Sequence, residues 1–161
     1  MPDSKLDIGG LPNETGSASN GSSGPALLQP TSARSIVIID SCAFTRGTTS
    51  KCLQVLCPEI AVFAFSRLED GLAANICGAG VCLTLYNAHS GALTEAAVGE
   101  DLMILTRSLA PRPLVVLSDL DRLDCVQEAF ERGARGYIPT TSSTLDVAVE
   151  VIRVLHAAAA S

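Results

Sequence analysis

The sequence predicts an α/β fold in which a parallel sheet carries helices on both faces. Three observations support it: five short runs rich in Val, Ile and Leu, five intervening stretches of helical character, and connections of only a few residues. Strands joined by helical crossovers run parallel, and right-handed crossovers place helices on either side of the sheet. Composition agrees, since 47% of the 161 residues are apolar but only 4% are aromatic, so the interior must be built from aliphatic side chains.

The first strand is Ile36-Val37-Ile38-Ile39, a continuous β-branched run suited to a position covered on both faces. It ends at Asp40-Ser41, and residues 44–56 read as a helix that Gly47 and several threonines weaken. Ile60 to Phe65 is the second strand. Ser66-x-x-Glu69 then has the spacing of a capping box, opening a helix to about Cys77. Val81 to Tyr86 is the third strand, and an irregular Ala-rich stretch leads to a helix over residues 99–110. Leu114 to Leu117 is the fourth strand, behind Pro111 and Pro113. Leu123, Val126, Ala129 and Phe130 fall on one face of the next helix, and Gly133 is placed to end it in a left-handed conformation. Residues 135–138 form a short fifth strand. Ser143-x-x-Asp146 starts a last helix that reaches about Ala158.

Residues 1–33 are dominated by Gly, Ser and Asn and hold too little apolar surface to offset their ordering entropy. They are expected to be a disordered tail, with the folded domain over 34–161. The formal charge is −6, and no run of Lys or Arg tracks a phosphate backbone, so direct nucleic-acid binding is not expected. Every apolar run is far below the ~20 residues of a membrane span. No secretory leader is recognisable, so a cytoplasmic location and reduced cysteines are expected. Cys52 and Cys57, like Cys77 and Cys82, lack zinc-site spacing and read as buried structural thiols. No P-loop or Gly-x-Gly-x-x-Gly pattern is present, and Gly78-Ala-Gly80 precedes a strand instead of joining strand to helix.

In doubly wound sheets the functional crevice lies at the carboxyl ends of the strands. That rule directs attention to Asp40, Ser41, Asn87, Ser118, Asp119, Pro139 and Thr140. His89 reads as a solvent-facing loop residue. Asp119, Asp121 and Asp124 read as charges favoured at a helix N-terminus, and the hydroxyl run from Thr140 to Thr144 as turn and capping groups.

Pro113 to Ser118, followed by a helix and Gly133-Ala-Arg-Gly-Tyr-Ile-Pro139, closely resembles the second half of response-regulator receiver domains, especially those joined to LuxR/NarL-type DNA-binding domains. The likeness covers about residues 35–157 and is weakest in the middle third. It implies a flavodoxin-like (βα)5 fold with a five-stranded parallel sheet of order 2-1-3-4-5, and a role in bacterial two-component signalling or transcriptional regulation. It also implies five functional positions: an acidic pair that binds Mg²⁺, an aspartate that accepts phosphate, a Ser or Thr, a lysine and a switch aromatic.

Here the acidic pair is reduced to Asp40 and Ser41, the acceptor position falls on Asn87 (or Tyr86 if the register slips by one), and the lysine position holds Thr140. Ser118 and the aromatic Tyr137 are kept. Neither an amide nor a phenol can form an acyl phosphate, and one carboxylate is a poor Mg²⁺ site. The expectation is therefore a pseudo-receiver without catalytic residues or a bound cofactor. A small-ligand sensor built on the same crevice, or the regulatory half of a LuxR-type regulator phosphorylated at another residue, are the alternatives.

On the last helix Leu145, Ala148, Val149, Ile152 and Leu155 form one apolar stripe, with Val147, Val151 and Val154 on an adjacent one. The resulting arc spans about 220°, more than a surface helix needs to cover a core. Val147, Val151 and Val154 are accordingly expected to form a homodimer or partner interface, the last helix being part of a common partner surface in the family the chain resembles.

Overall fold

The computed structural model describes residues 34–78, 80–89 and 95–160. The tail expected over 1–33, and part of the irregular stretch before the third helix, lie outside the described residues. The elements alternate strictly: β1 (Ser35–Ile39), α1 (Ala43–Leu56), β2 (Ala61–Phe65), α2 (Leu68–Ala73), β3 (Val81–Asn87), α3 (Ala96–Leu109), β4 (Leu114–Ser118), α4 (Leu123–Glu131), β5 (Gly136–Pro139) and α5 (Thr144–Ala159). The strands form one sheet of order β2-β1-β3-β4-β5, with every neighbouring pair parallel. This is the flavodoxin-like arrangement that the resemblance implies.

All five residues of both β1 and β4 are buried, as the unbroken aliphatic runs demand of central strands. β2, at the edge, leaves Ala61, Phe63 and Ala64 exposed. Alternation along the strands divides the interior into two cores. Val37, Ile39, Tyr86 and Val116 face α2, α3 and α4, where Leu68, Leu102, Leu105 and Ala129 meet them. Ile36, Ile38, Leu83, Leu85 and Val115 face α1 and α5, meeting Leu53, Val151 and Leu155.

Two glycines make the second half of the fold possible. Gly133 has φ +98°, which a side chain strongly disfavours, and a Cβ there would lie 2.5 Å from the Thr106 methyl. Gly136 lets α5 lie close over β5, since a Cβ would sit 3.2 Å from a Val154 methyl and 3.3 Å from one of Val115. At the start of α5 the expected capping box is present in both directions, between Ser143 and Asp146.

Five expectations are corrected. The Ser66–Glu69 capping box does not form: Arg67 is the N-cap without a side-chain cap, and the Ser66 hydroxyl instead donates to Asp70, 3.3 Å away. α2 also stops at Ala73, short of Cys77, where the chain turns through Asn75 at φ 63°. On α4 the expected face holds only in part: Leu123 is 79% and Phe130 48% exposed, while Ala129 is buried as expected, together with Cys125 from outside that face. Most consequentially, Val147, Val151 and Val154 are not a free surface. They are buried with Ala148 and Leu155 in the core, so they form no interface; Leu145 and Val149 are the exposed pair. Residues 147, 148, 151, 154 and 155 make one continuous helical stripe, and the close approach at Gly136 turns that stripe to the sheet. The cysteines are all free thiols, but only Cys57 and Cys125 are buried; the other four are half-buried.

Candidate functional site

Asp40 follows β1 at the carboxyl edge of the sheet and is 2% exposed. Desolvation of a carboxylate is costly unless hydrogen bonds replace water, and here four donors converge on it. Oδ1 accepts the Cys42 amide at 2.8 Å and faces His89 Nε2 at 2.9 Å. Oδ2 accepts the Thr45 hydroxyl at 2.5 Å and the Asn87 side-chain amide at 3.1 Å. A carboxylate only accepts, so the His89 proton on this contact sits on Nε2. Arg46 adds a guanidinium contact to the Asp40 backbone carbonyl at 2.6 Å.

Asn87 ends β3, and its side-chain oxygen accepts the His89 amide at 2.9 Å. That bond helps hold His89 in a left-handed conformation, φ 49°, from which its ring reaches back over Asp40. Ser118 ends β4. Its hydroxyl donates to the His89 carbonyl at 3.2 Å and accepts the Leu120 amide at 3.2 Å. Tyr137, on β5, donates its phenol to the Leu120 carbonyl. Burial raises the Tyr137 phenol above its ordinary pKa.

The structure therefore brings Asp40, Asn87 and Ser118 into one hydrogen-bonded cluster. Ser41 is exposed and lines a cleft of about 290 Å³ beside it. Among the described residues Thr140 joins through its backbone amide alone, which donates to the Ser118 carbonyl at 2.8 Å. The register at the tip of β3 places Asn87 against Asp40. Tyr86 points to the other face and donates to Asp101 Oδ2 at 2.7 Å; burial, and then that carboxylate, push its pKa well up. Asp124 pairs with Arg122 on the surface, as expected of a charge in the first turn of a helix.

His89 is the member that sequence reasoning missed. Its Nε2 is turned inward onto Asp40, with only 36% of its side chain exposed. Local sequence holds no signal for this, because the partner is 49 residues away. Cys42 also gained a role: hydrogen bonds from the Thr45 amide and hydroxyl lower its thiol pKa, beside the aspartate that its own amide holds.

A parallel five-stranded sheet with its polar cluster at the tips of β1, β3 and β4 defines the receiver class of fold. Solved structures with this fold include a response regulator from Thermotoga maritima, at 11% identity over 77% of this chain and 98% of that one with a TM-score of 0.65. The orphan response regulator HP1043 of H. pylori is similar at 18% identity, 78% and 99% coverage and TM-score 0.63. A LuxR family DNA-binding response regulator from Silicibacter pomeroyi is similar at 19% identity, 77% and 92% coverage and TM-score 0.61. No protein-family model and no curated protein matches the chain. Among the described residues no helix is long and apolar enough to cross a membrane.

Proposed function

We propose that this chain is a pseudo-receiver: a signalling domain that acts by docking on a protein partner or a second copy, without aspartyl phosphorylation and without catalysis. The observation that carries this reading is the self-satisfied Asp40 cluster. In a phosphorylated receiver the crevice must present carboxylate oxygens to Mg²⁺ and a cationic side chain to the phosphoryl group. Here Asp40 is surrounded by donors, from Cys42, Thr45, Asn87 and His89, which compete with a cation for the same lone pairs. Asn87 supplies no nucleophilic carboxylate, and Thr140 supplies no charge.

Docking is supported by apolar side chains left outside the core on the two helices that pack against β5: Leu123 and Phe130 on α4, Leu145 and Val149 on α5. These replace Val147, Val151 and Val154 as the contact residues of the proposal.

Incubation of the protein with Mg²⁺ and acetyl phosphate, followed by intact mass measurement, tests the first half. An unchanged mass is expected; a gain of one phosphate overturns the reading. Mass in solution, compared between the native chain and Phe130→Glu, tests self-association, which a monomer in both would exclude in favour of a different protein partner.

A further inference from the structure

The opposite end of the sheet, at the amino ends of the strands, carries a second site. A cleft of about 680 Å³ opens there, lined by Pro111, Pro113, Val154 and Ala158 together with Arg135 and Arg153. An adjoining cleft shares Pro111, Pro113 and Ala158 and adds Arg34 and Arg112. Four of the chain's 11 basic residues thus gather at one end of a molecule whose formal charge is −6. Among the described residues no acidic side chain lines either cleft.

The donors are partly uncommitted. Arg135 gives its backbone amide to the Leu114 carbonyl, but its side chain has no hydrogen bond or ion pair among the described residues. Arg153 is paired with the Glu150 carboxylate through Nε and Nη2, at 2.7 and 2.6 Å, and keeps Nη1 as a remaining donor. Arg112 is anchored by Nη1 on the Cys77 carbonyl at 2.7 Å.

We propose that this cleft binds a nucleoside monophosphate, with the phosphate between Arg135 and Arg153 and the base laid against the proline wall. Planar guanidinium groups match phosphate oxygens in pairs and stack on flat rings. Small apolar walls with a few convergent polar groups, in a volume within the ~300–1,000 Å³ of ligand pockets, are the general form of a small-molecule site. An inorganic anion would leave the apolar walls unused, and a nucleoside would leave the arginines unused. The site is separate from the Asp40 cluster, and the proposal does not rest on the pseudo-receiver reading.

Calorimetric titration of the full chain with AMP tests it, with adenosine and inorganic phosphate as the two halves of the ligand and a Glu-rich hexapeptide as the competing occupant. Saturable AMP binding with Kd below ~1 mM is expected, with adenosine, phosphate and the peptide each at least about tenfold weaker. Arg135→Gln should weaken AMP at least about tenfold while its melting temperature stays that of the native chain. Backbone amide shifts on titration should centre on Arg135, Val154 and Ala157. Absence of saturable AMP binding, equal affinity in Arg135→Gln, phosphate or peptide binding as tightly as AMP, or shifts centred on Asn87 and Ser118 would each overturn it.

Discussion

His89 Nε2 meets Asp40 Oδ1 at 2.9 Å, closing a contact between residues 49 apart in sequence over the carboxyl edge of the sheet. The imidazole N–H covers one of the two oxygens of a carboxylate that is otherwise shielded from water. His89→Ala removes one of four donors from a carboxylate that is 2% exposed, and water can replace it only in part. A loss of about 1 kcal/mol in denaturant-measured stability is expected. Asp40→Ala, which strands the Asn87 and His89 donors as well, should cost more, about 2–3 kcal/mol; equal losses in the two variants would contradict the geometry.

Asn87→Asp places a second carboxylate about 3 Å from Asp40 Oδ2 in place of an amide donor. The variant should melt lower than the native protein in the absence of metal and recover when millimolar Mg²⁺ is added. The native protein should show no such recovery, because its crevice presents donors. A Mg²⁺-insensitive variant would mean that the tip of β3 is misplaced.

The face of α5 can be tested by charge. Val151 is fully buried, so Val151→Ala should destabilise by about 2 kcal/mol and Val151→Glu should prevent folding. Val149, two residues before it and 55% exposed, should accept Glu within about 0.5 kcal/mol. Circular dichroism melts of the three variants distinguish the observed face from the one that sequence reasoning chose.

That contrast marks where the sequence ran short. β1 and β4 could be read directly, because an unbroken run such as Ile36 to Ile39 has few other uses than a central strand. Gly133 and the Ser143–Asp146 box were readable for the same reason, each being a local solution to a local backbone demand. α5 was different: Val147, Val149 and Val151 are chemically alike, and periodicity defines stripes on a helix without saying which one meets the sheet. The approach of Val154 to Gly136 decides that, and it is a tertiary fact. On α4 the same ambiguity resolved toward small residues, Cys125 and Ala129, leaving Leu123 and Phe130 outside. The site was half readable: Asp40, Asn87 and Ser118 at the strand ends show in the sequence itself, whereas the inward turn of His89 depends on the chain folding back over Asp40.

Thr84 offers a prediction of opposite sign. It lies in the central strand β3, 1% exposed, and its hydroxyl is the buried side-chain polar atom without a partner among the described residues. Thr84→Val keeps the shape and removes the unsatisfied group, so stability should rise by about 1 kcal/mol.

Tyr86 sets an alkaline limit. Its folded pKa is raised by burial and by Asp101, so the folded state holds the phenolic proton after the unfolded state has released it. The contribution is fully present below the ordinary tyrosine value of about 10 and is lost as pH climbs from there toward the higher folded value. Tyr86→Phe should flatten this part of the stability curve; parallel curves for the two proteins above pH ~10 would contradict it.

Leu120 accepts the Tyr137 phenol at its carbonyl and gives its amide to the Ser118 hydroxyl, which in turn holds the His89 carbonyl. One backbone residue is therefore a pivot shared by the ring on β5 and the histidine over β1. Ser118→Ala would remove both the acceptor of the Leu120 amide and the donor to the His89 carbonyl, so a single hydroxyl ties the β5 side of the edge to the β1 side.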